Sequence, residues 1–195
     1  MQRKSSIDRR TEETEIKLEL NIDGEGRSDI STPIPFLDHV LESFARHGRF
    51  DLAVKASGDT AVESHHLMED LGICLGQAID GCLKDRKGIV RFADITIPMD
   101  EAEVSISMDI GGRPYLSYRV EMAYEVLEGG METSIIEDFF QALVNKCSIN
   151  LHITKNSGLA SHHIIEAVFK AFGLTLKQAS RLTGEDSVPS TKGSI

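Results

Sequence analysis

Polar and apolar residues alternate with period two from Glu13 to Leu20 and again from Glu101 to Met108, which predicts two strands with one buried and one wet face. Asp23-Gly24 closes the first and Gly111-Gly112 the second, and each of these turns leads into a further strand. The period then lengthens. Pro35-Phe36-Leu37-Asp38-His39-Val40-Leu41 and Ser134-Ile135-Ile136-Glu137-Asp138-Phe139-Phe140 open amphipathic helices, with apolar residues returning at three- and four-residue steps. Short apolar strands follow at Phe50–Val54 and Ile149–Ile153. A second helix then starts at Ser64-His65-His66-Leu67-Met68-Glu69 and at Ser161-His162-His163-Ile164-Ile165-Glu166, with the serine expected as N-cap.

The same features therefore occur twice in the same order, over about 10–88 and 94–180. Glu13 and Glu101 are 88 positions apart, His65 and His162 are 97 apart, so insertions separate the copies. The pattern predicts an α+β fold of two repeated halves, each a small sheet with two helices, and the helices packed between the two sheets. The expected organisation is a first half at 1–93, a second at 94–180, and a C-terminal arm at 181–195 that contains Pro189.

With 195 residues, 41% of them hydrophobic, the chain can bury a substantial core. Cys74, Cys82 and Cys147 form no CxxC pair and sit in apolar stretches, which predicts buried thiols in a reducing compartment. MQRKSSIDRR is followed by no apolar run, and no stretch is long and apolar enough to span a membrane, so the cytoplasm is the expected location. A formal net charge of -10 disfavours nucleic acid and anionic membrane surfaces as partners, and means that any anionic ligand must find a local cationic cluster.

Histidine carries the candidate chemistry. His65 with Glu69, and His162 with Glu166, are i,i+4 pairs that a helix places on one face, each supplying a nitrogen and an oxygen donor. His66 and His163 lie about 100° further round and must serve another ion or none. Adding His39 and His152 gives six histidines and two glutamates, which divide evenly between two metal ions. A single histidine of this kind is more often a satisfied core or surface residue; the doubled arrangement favours metal. A helix start also keeps imidazole neutral, as a metal requires. Mixed imidazole and carboxylate donors suit Mn, Fe, Co or Zn alike.

Phe36-Leu37-Asp38-His39, Phe44-Ala45-Arg46-His47-Gly48, His65-His66-Leu67-Met68-Glu69-Asp70, Asn150-Leu151-His152-Ile153, the segment from His162 to Ala171, and Pro189-Ser190-Thr191-Lys192-Gly193 together resemble the imidazoleglycerol-phosphate dehydratase family along nearly the whole chain. The resemblance implies a histidine-biosynthesis hydro-lyase that converts imidazole glycerol phosphate to imidazole acetol phosphate and water. It further implies two Mn2+ per subunit and a homo-oligomer of twenty-four subunits with active sites between neighbours. The chain departs from the family pattern at Glu63, where aspartate is expected, and at Ala160, where asparagine is expected. The phosphatase domain fused to this enzyme in some bacteria has no counterpart here, so that activity is not expected.

The resemblance makes Glu13 the candidate acid or base, with a metal-bound water as its rival and a plain surface charge as the alternative. His47, which has no repeat partner, becomes a substrate-pocket residue and a second proton-transfer candidate. Arg91, Arg113, Lys170, Ser190 and Lys192 become the phosphate contacts, and His39, His65 and Glu69 also face substrate. Two other functions compete. A metal-dependent scaffold or storage oligomer explains the histidines but leaves the arginines and the Ser190-Thr191-Lys192 arm without a role. A dinuclear metallohydrolase normally draws on more carboxylate than this histidine-rich set offers.

Overall fold

The computed structural model describes residues 2–58, 64–127, 131–193 and 195. Among these the first half runs β1 (Lys4–Arg10), β2 (Thr14–Asn21), β3 (Ser28–Ser31), α1 (Pro35–Gly48), β4 (Asp51–Gly58) and α2 (His65–Leu83). The second half repeats it as β5 (Phe92–Met99), β6 (Ala102–Asp109), β7 (Tyr115–Arg119), α3 (Ile135–Cys147), β8 (Asn150–Ser157) and α4 (Ser161–Ala179). The sheets have the orders β1-β2-β4-β3 and β5-β6-β8-β7, antiparallel except for the final parallel pair of each. Each sheet lays one face on helices. α2 packs on β1 and β2, α4 on β5 and β6, and the halves meet helix against helix, α2 on α3 and α1 on α4. The fold is the expected α+β double half with its helices between two sheets.

Each sheet begins with an edge strand that the alternation does not reveal. In β1 the inward positions alternate only between half-buried and exposed residues, and Ser5 and Arg9 occupy inward places. In β5 the inward Ala93, Ile95, Ile97 and Met99 do alternate, but Pro98 argues against a strand; it is tolerated because β5 is an edge. The serine caps are not formed. Ser64 precedes α2 without a side-chain cap, and α4 begins at Ser161 itself after Ala160, the Ser161 hydroxyl donating instead to the Tyr124 carbonyl at 3.3 Å. Glu63 lies outside the described residues. Among the described residues the chain after Arg181 forms no helix or strand, yet it is tied down: Gly88 N–H donates to the Ser187 carbonyl, Thr183 N–H to the Gly88 carbonyl and Val90 N–H to the Arg181 carbonyl.

What positions the site is the closeness of the helix pairs. A Cβ at Gly173 of α4 would stand 2.6 Å from the Phe44 carbonyl of α1, and one at Gly76 of α2 would stand 2.5 Å from the Leu143 carbonyl of α3. The two contacts are repeat equivalents, so each half lends a glycine to let the other half's helix approach. Beside Gly173 the Phe44 and Phe172 rings stack at 5.3 Å. No helix among the described residues is long and apolar enough to cross a membrane.

Gly173→Ala is expected to push α1 off α4 and destabilise the protein by about 1–3 kcal/mol, as overpacking does. The midpoint of denaturant unfolding measures this; a midpoint unchanged from the parent would mean that the helix seam yields freely.

Candidate metal centre

α1 starts at Pro35, whose fixed φ and missing N–H suit a first helical position, and ends at Arg49 in the left-handed conformation. His39 stands in its second turn. α4 runs alongside and presents His162 and Glu166 one turn apart. The Glu166 Oε2 atom lies 3.0 Å from His39 Nε2 and 3.4 Å from His162 Nε2. Its other oxygen accepts from Lys170 Nζ at 2.9 Å and from the Ser43 hydroxyl at 3.4 Å. Among the described residues His39, His162 and Glu166 are the one group of three potential metal ligands with all donor atoms within 4.8 Å of one another. Two imidazole nitrogens and a carboxylate oxygen at that spacing suit a divalent transition-metal ion. Phe36 flanks the group, its ring 5.0 Å from that of His162 and 6.3 Å from that of His39.

Glu166 is 7% exposed. Burial by itself would raise its pKa, but the hydrogen bonds from Lys170 and His39 outweigh that and lower it to about 2. The site therefore holds a carboxylate that stays ionised at neutral pH.

The repeat-related seam between α2 and α3 has a different composition. His65 Nε2 lies 3.5 Å from Asp138 Oδ2, and Asp138 occupies the place in α3 that His39 occupies in α1. Glu69 is exposed one turn beyond His65. His66 Nδ1 is 3.4 Å from Glu13 Oε2, and His163 Nδ1 is 2.7 Å from Glu101 Oε2, with Asp100 3.7 Å from its Nε2. Glu101 raises the pKa of His163, and its own is lowered to about 2 by that hydrogen bond first and by the Ala160 N–H next. His152 lies on the exposed face of β8, its ring 5.4 Å from that of Tyr115. One chain thus brings together three of the eight candidate ligands; His65, His66, Glu69, His152 and His163 lie outside that group. Asp138 and Glu101, the repeat counterparts of His39 and Glu13, are not among the site residues expected from the sequence.

The remaining candidates divide between two places. Lys170 belongs to the Glu166 group. His47, at the end of α1, has its pKa lowered by partial burial and then by the Lys170 cation, which favours neutral imidazole. Arg91, held at φ 78°, pairs with Asp109 at 2.7 Å and donates to the Pro189 carbonyl at 2.7 Å. Ile195 lies against Gly112, beside exposed Arg113, whose carbonyl accepts from Asn150. The Ser190 hydroxyl accepts from the Lys192 N–H at 3.2 Å, and the Lys192 side chain is exposed. A cavity of about 470 Å³ lies beside His162 and His163, under Phe36, Tyr124 and Leu127. Two larger hollows, about 540 and 650 Å³, are lined by none of the candidate residues.

Residues 32–176 match the family model described as imidazoleglycerol-phosphate dehydratase. Proteins of that name from Thermodesulfovibrio yellowstonii and Pelobacter propionicus are 52% and 48% identical to the chain. The matches cover 99% of the chain in both cases, and 100% and 99% of the relatives. The crystal structure of imidazoleglycerol-phosphate dehydratase from Staphylococcus aureus superposes with a TM-score of 0.83 at 35% identity, covering 92% of this chain and 99% of that one. The Pyrococcus furiosus structure in complex with (S)-C348 gives 0.83 at 34%, covering 97% and 100%.

A carboxylate whose folded pKa is lowered adds stability above its ordinary value of 4.5 and loses it as pH falls towards about 2. Metal-free Glu166→Gln should therefore be less stable than the metal-free parent at pH 6, with the difference narrowing through that window. Urea unfolding at several pH values checks it; a difference independent of pH would place the ionised form of Glu166 outside the stability of the seam.

Proposed function

The chain belongs to the imidazoleglycerol-phosphate dehydratase family, hydro-lyases of histidine biosynthesis, and from that premise we propose that it converts imidazole glycerol phosphate to imidazole acetol phosphate and water at a site of two divalent metal ions, taken to be Mn2+. The convergence of His39, His162 and Glu166 at the α1–α4 seam carries this reading. His65 and Glu69 repeat the His162–Glu166 pair in the first half and are assigned to the second ion. His66, His163 and His152 lie outside the seam group and are assigned to ions shared with neighbouring copies, in an assembly of twenty-four subunits. The metal donors are then completed only on assembly.

Bound metal supplies Lewis-acid polarisation of the imidazole ring, which makes the carbon-bound proton removable and the hydroxyl a leaving group. Glu13, exposed and 3.4 Å from His66, is the residue proposed to take or return that proton. Neutral His47 is the second proton-transfer candidate. The proton and the hydroxyl leave together as one water, and the enol formed rearranges to the ketone. Arg91, Arg113, Lys170, Ser190 and Lys192 are proposed to bind the phosphate, the arm at 181–195 contributing the last two. That arm is supported by its ties to Gly88, Val90 and Arg91. A cytoplasmic location fits this biosynthetic role.

Incubating the manganese-loaded protein with imidazole glycerol phosphate should give the enol or ketone product, and the metal-stripped control should give none. Equal turnover by the stripped protein would refute the metal role. Chelation should also reduce particle mass by light scattering, since ions between copies help hold the assembly. An unchanged mass at near-zero metal content would contradict that part of the reading.

Lys192→Ala is expected to lower kcat/KM by about tenfold to a hundredfold, the worth of one charged hydrogen bond, while both metals stay bound. Steady-state kinetics beside metal analysis decides it: activity within about twofold of the parent would leave the arm a solvated end.

A further inference from the structure

Beneath Glu13 lies a buried polar network. The Thr14 side chain is 4% exposed, and its hydroxyl donates to Asp70 Oδ2 at 2.5 Å. Asp70 is 9% exposed and takes Nε and Nη2 of Arg9 on its other oxygen, at 2.9 and 2.7 Å. Thr11 closes the network: its hydroxyl oxygen accepts from the N–H groups of Glu13 and Thr14, at 3.2 and 2.9 Å, and lies 3.1 Å from the Thr14 hydroxyl. Thr14 follows Glu13 and Asp70 follows Glu69. The bond between them therefore pins the backbone that carries Glu13 to the helix that carries His65, His66 and Glu69.

The second half supplies the comparison. Glu13 corresponds to Glu101, and with the same offset Thr14 corresponds to Ala102 and Arg9 to Ile97; Arg9 pairs with Ile16 and Ile97 with Val104, the partners that the repeat predicts. Asp70 corresponds to Ala167, one residue beyond Glu166. Ala102 and Ala167 are buried, at 1% and 0% exposure, and Ile97 is packed against the core. The same four-stranded sheet and helix pair thus form with an apolar trio in place of the ionic one. An ion pair with one partner buried and the other a third exposed contributes little over apolar residues of similar volume, so the fold does not explain why the first half keeps it.

The two glutamates differ in how they are held. Glu101 is anchored through its carboxylate: one oxygen meets His163, and the other accepts from the Ala160 N–H at 2.9 Å and the Leu159 N–H at 3.4 Å. The Glu13 backbone is held by Thr11 directly and by Asp70 through Thr14. A carboxylate that must move a proton needs its backbone fixed.

We propose that Thr14 and Asp70, buttressed by Arg9 and Thr11, are positioning residues that hold Glu13 for proton transfer, a duty that the second copy of the fold has lost. The proposal rests on the reading of Glu13 as the proton-transfer residue. Thr14→Val removes the hydroxyl at nearly constant shape, Thr14→Ser keeps it, and the triple variant Arg9→Ile/Thr14→Ala/Asp70→Ala copies the solution with which the second half folds. Each is compared as the manganese-loaded assembly on imidazole glycerol phosphate. Thr14→Val and the triple variant should lose about 100-fold in kcat, the scale of a 1 Å misplacement, with KM, manganese content and particle mass held. Thr14→Ser should recover most of the loss, and adding Thr14→Val to Glu13→Gln should cost nothing further, since the two act as a unit. An inactive Glu13→Gln beside a fully active Thr14→Val would overturn the proposal alone. A fully active Glu13→Gln would overturn the reading of Glu13 and the proposal with it. Loss of manganese or of assembly in both Thr14→Val and the triple variant would make the network structural and overturn it equally.

Discussion

Glu166 sits at the seam of α1 and α4 with almost none of its surface in water, and it remains a carboxylate because Lys170 and His39 both point at it. Such a charge is tolerable only where its partners are held in place. His39 comes from the first half, Glu166, Lys170 and His162 from the second, so the partners are in place only if the halves are docked. Docking in turn depends on Gly173, which lets the backbone of α1 lie directly on α4. Packing and electrostatics at this seam are one constraint seen from two sides: the apolar seam fixes the geometry, and the geometry brings two exposed imidazoles onto a buried carboxylate.

Duplication gives the chain two such seams with the same backbone and different chemistry. Where α1 offers His39, α3 offers Asp138, which faces His65. Where β1, β2 and α2 share the Arg9–Thr14–Asp70 network, β5, β6 and α4 carry Ile97, Ala102 and Ala167. Glu101 caps the start of α4 and meets His163, and Glu13 meets His66 at the start of α2. Each half must stay apolar between its helices, because that face is buried whichever copy it belongs to. The residues around the helix starts have no such restriction, and there the two copies have diverged.

Most of the architecture is legible in the sequence because the signals repeat. Period-two alternation locates β2 and β6, the three- and four-residue period locates all four helices, and the paired His-His segments fix the register of the halves. The edge strands are harder to read, because β1 carries polar residues on its inward face and β5 carries a proline that only an edge tolerates. The i,i+4 pairing of His162 with Glu166 is written in the spacing. That His39 joins them, rather than a histidine nearer in sequence, follows from the docking of α1 on α4, which no local pattern encodes. The repeat alignment already pairs Glu101 with Glu13 and Asp138 with His39, but spacing does not tell that these carboxylates face His163 and His65.

The proposed chemistry depends on metal occupying the seam between the halves. Anomalous diffraction at the manganese edge from crystals grown with Mn2+ tests that directly. The predicted result is a peak bonded at once to His39 Nε2, His162 Nε2 and Glu166 Oε2, with the His39–Glu166 hydrogen bond replaced by coordination. A fully occupied manganese site elsewhere, with His39 still 3.0 Å from Glu166 and no peak between them, would contradict it.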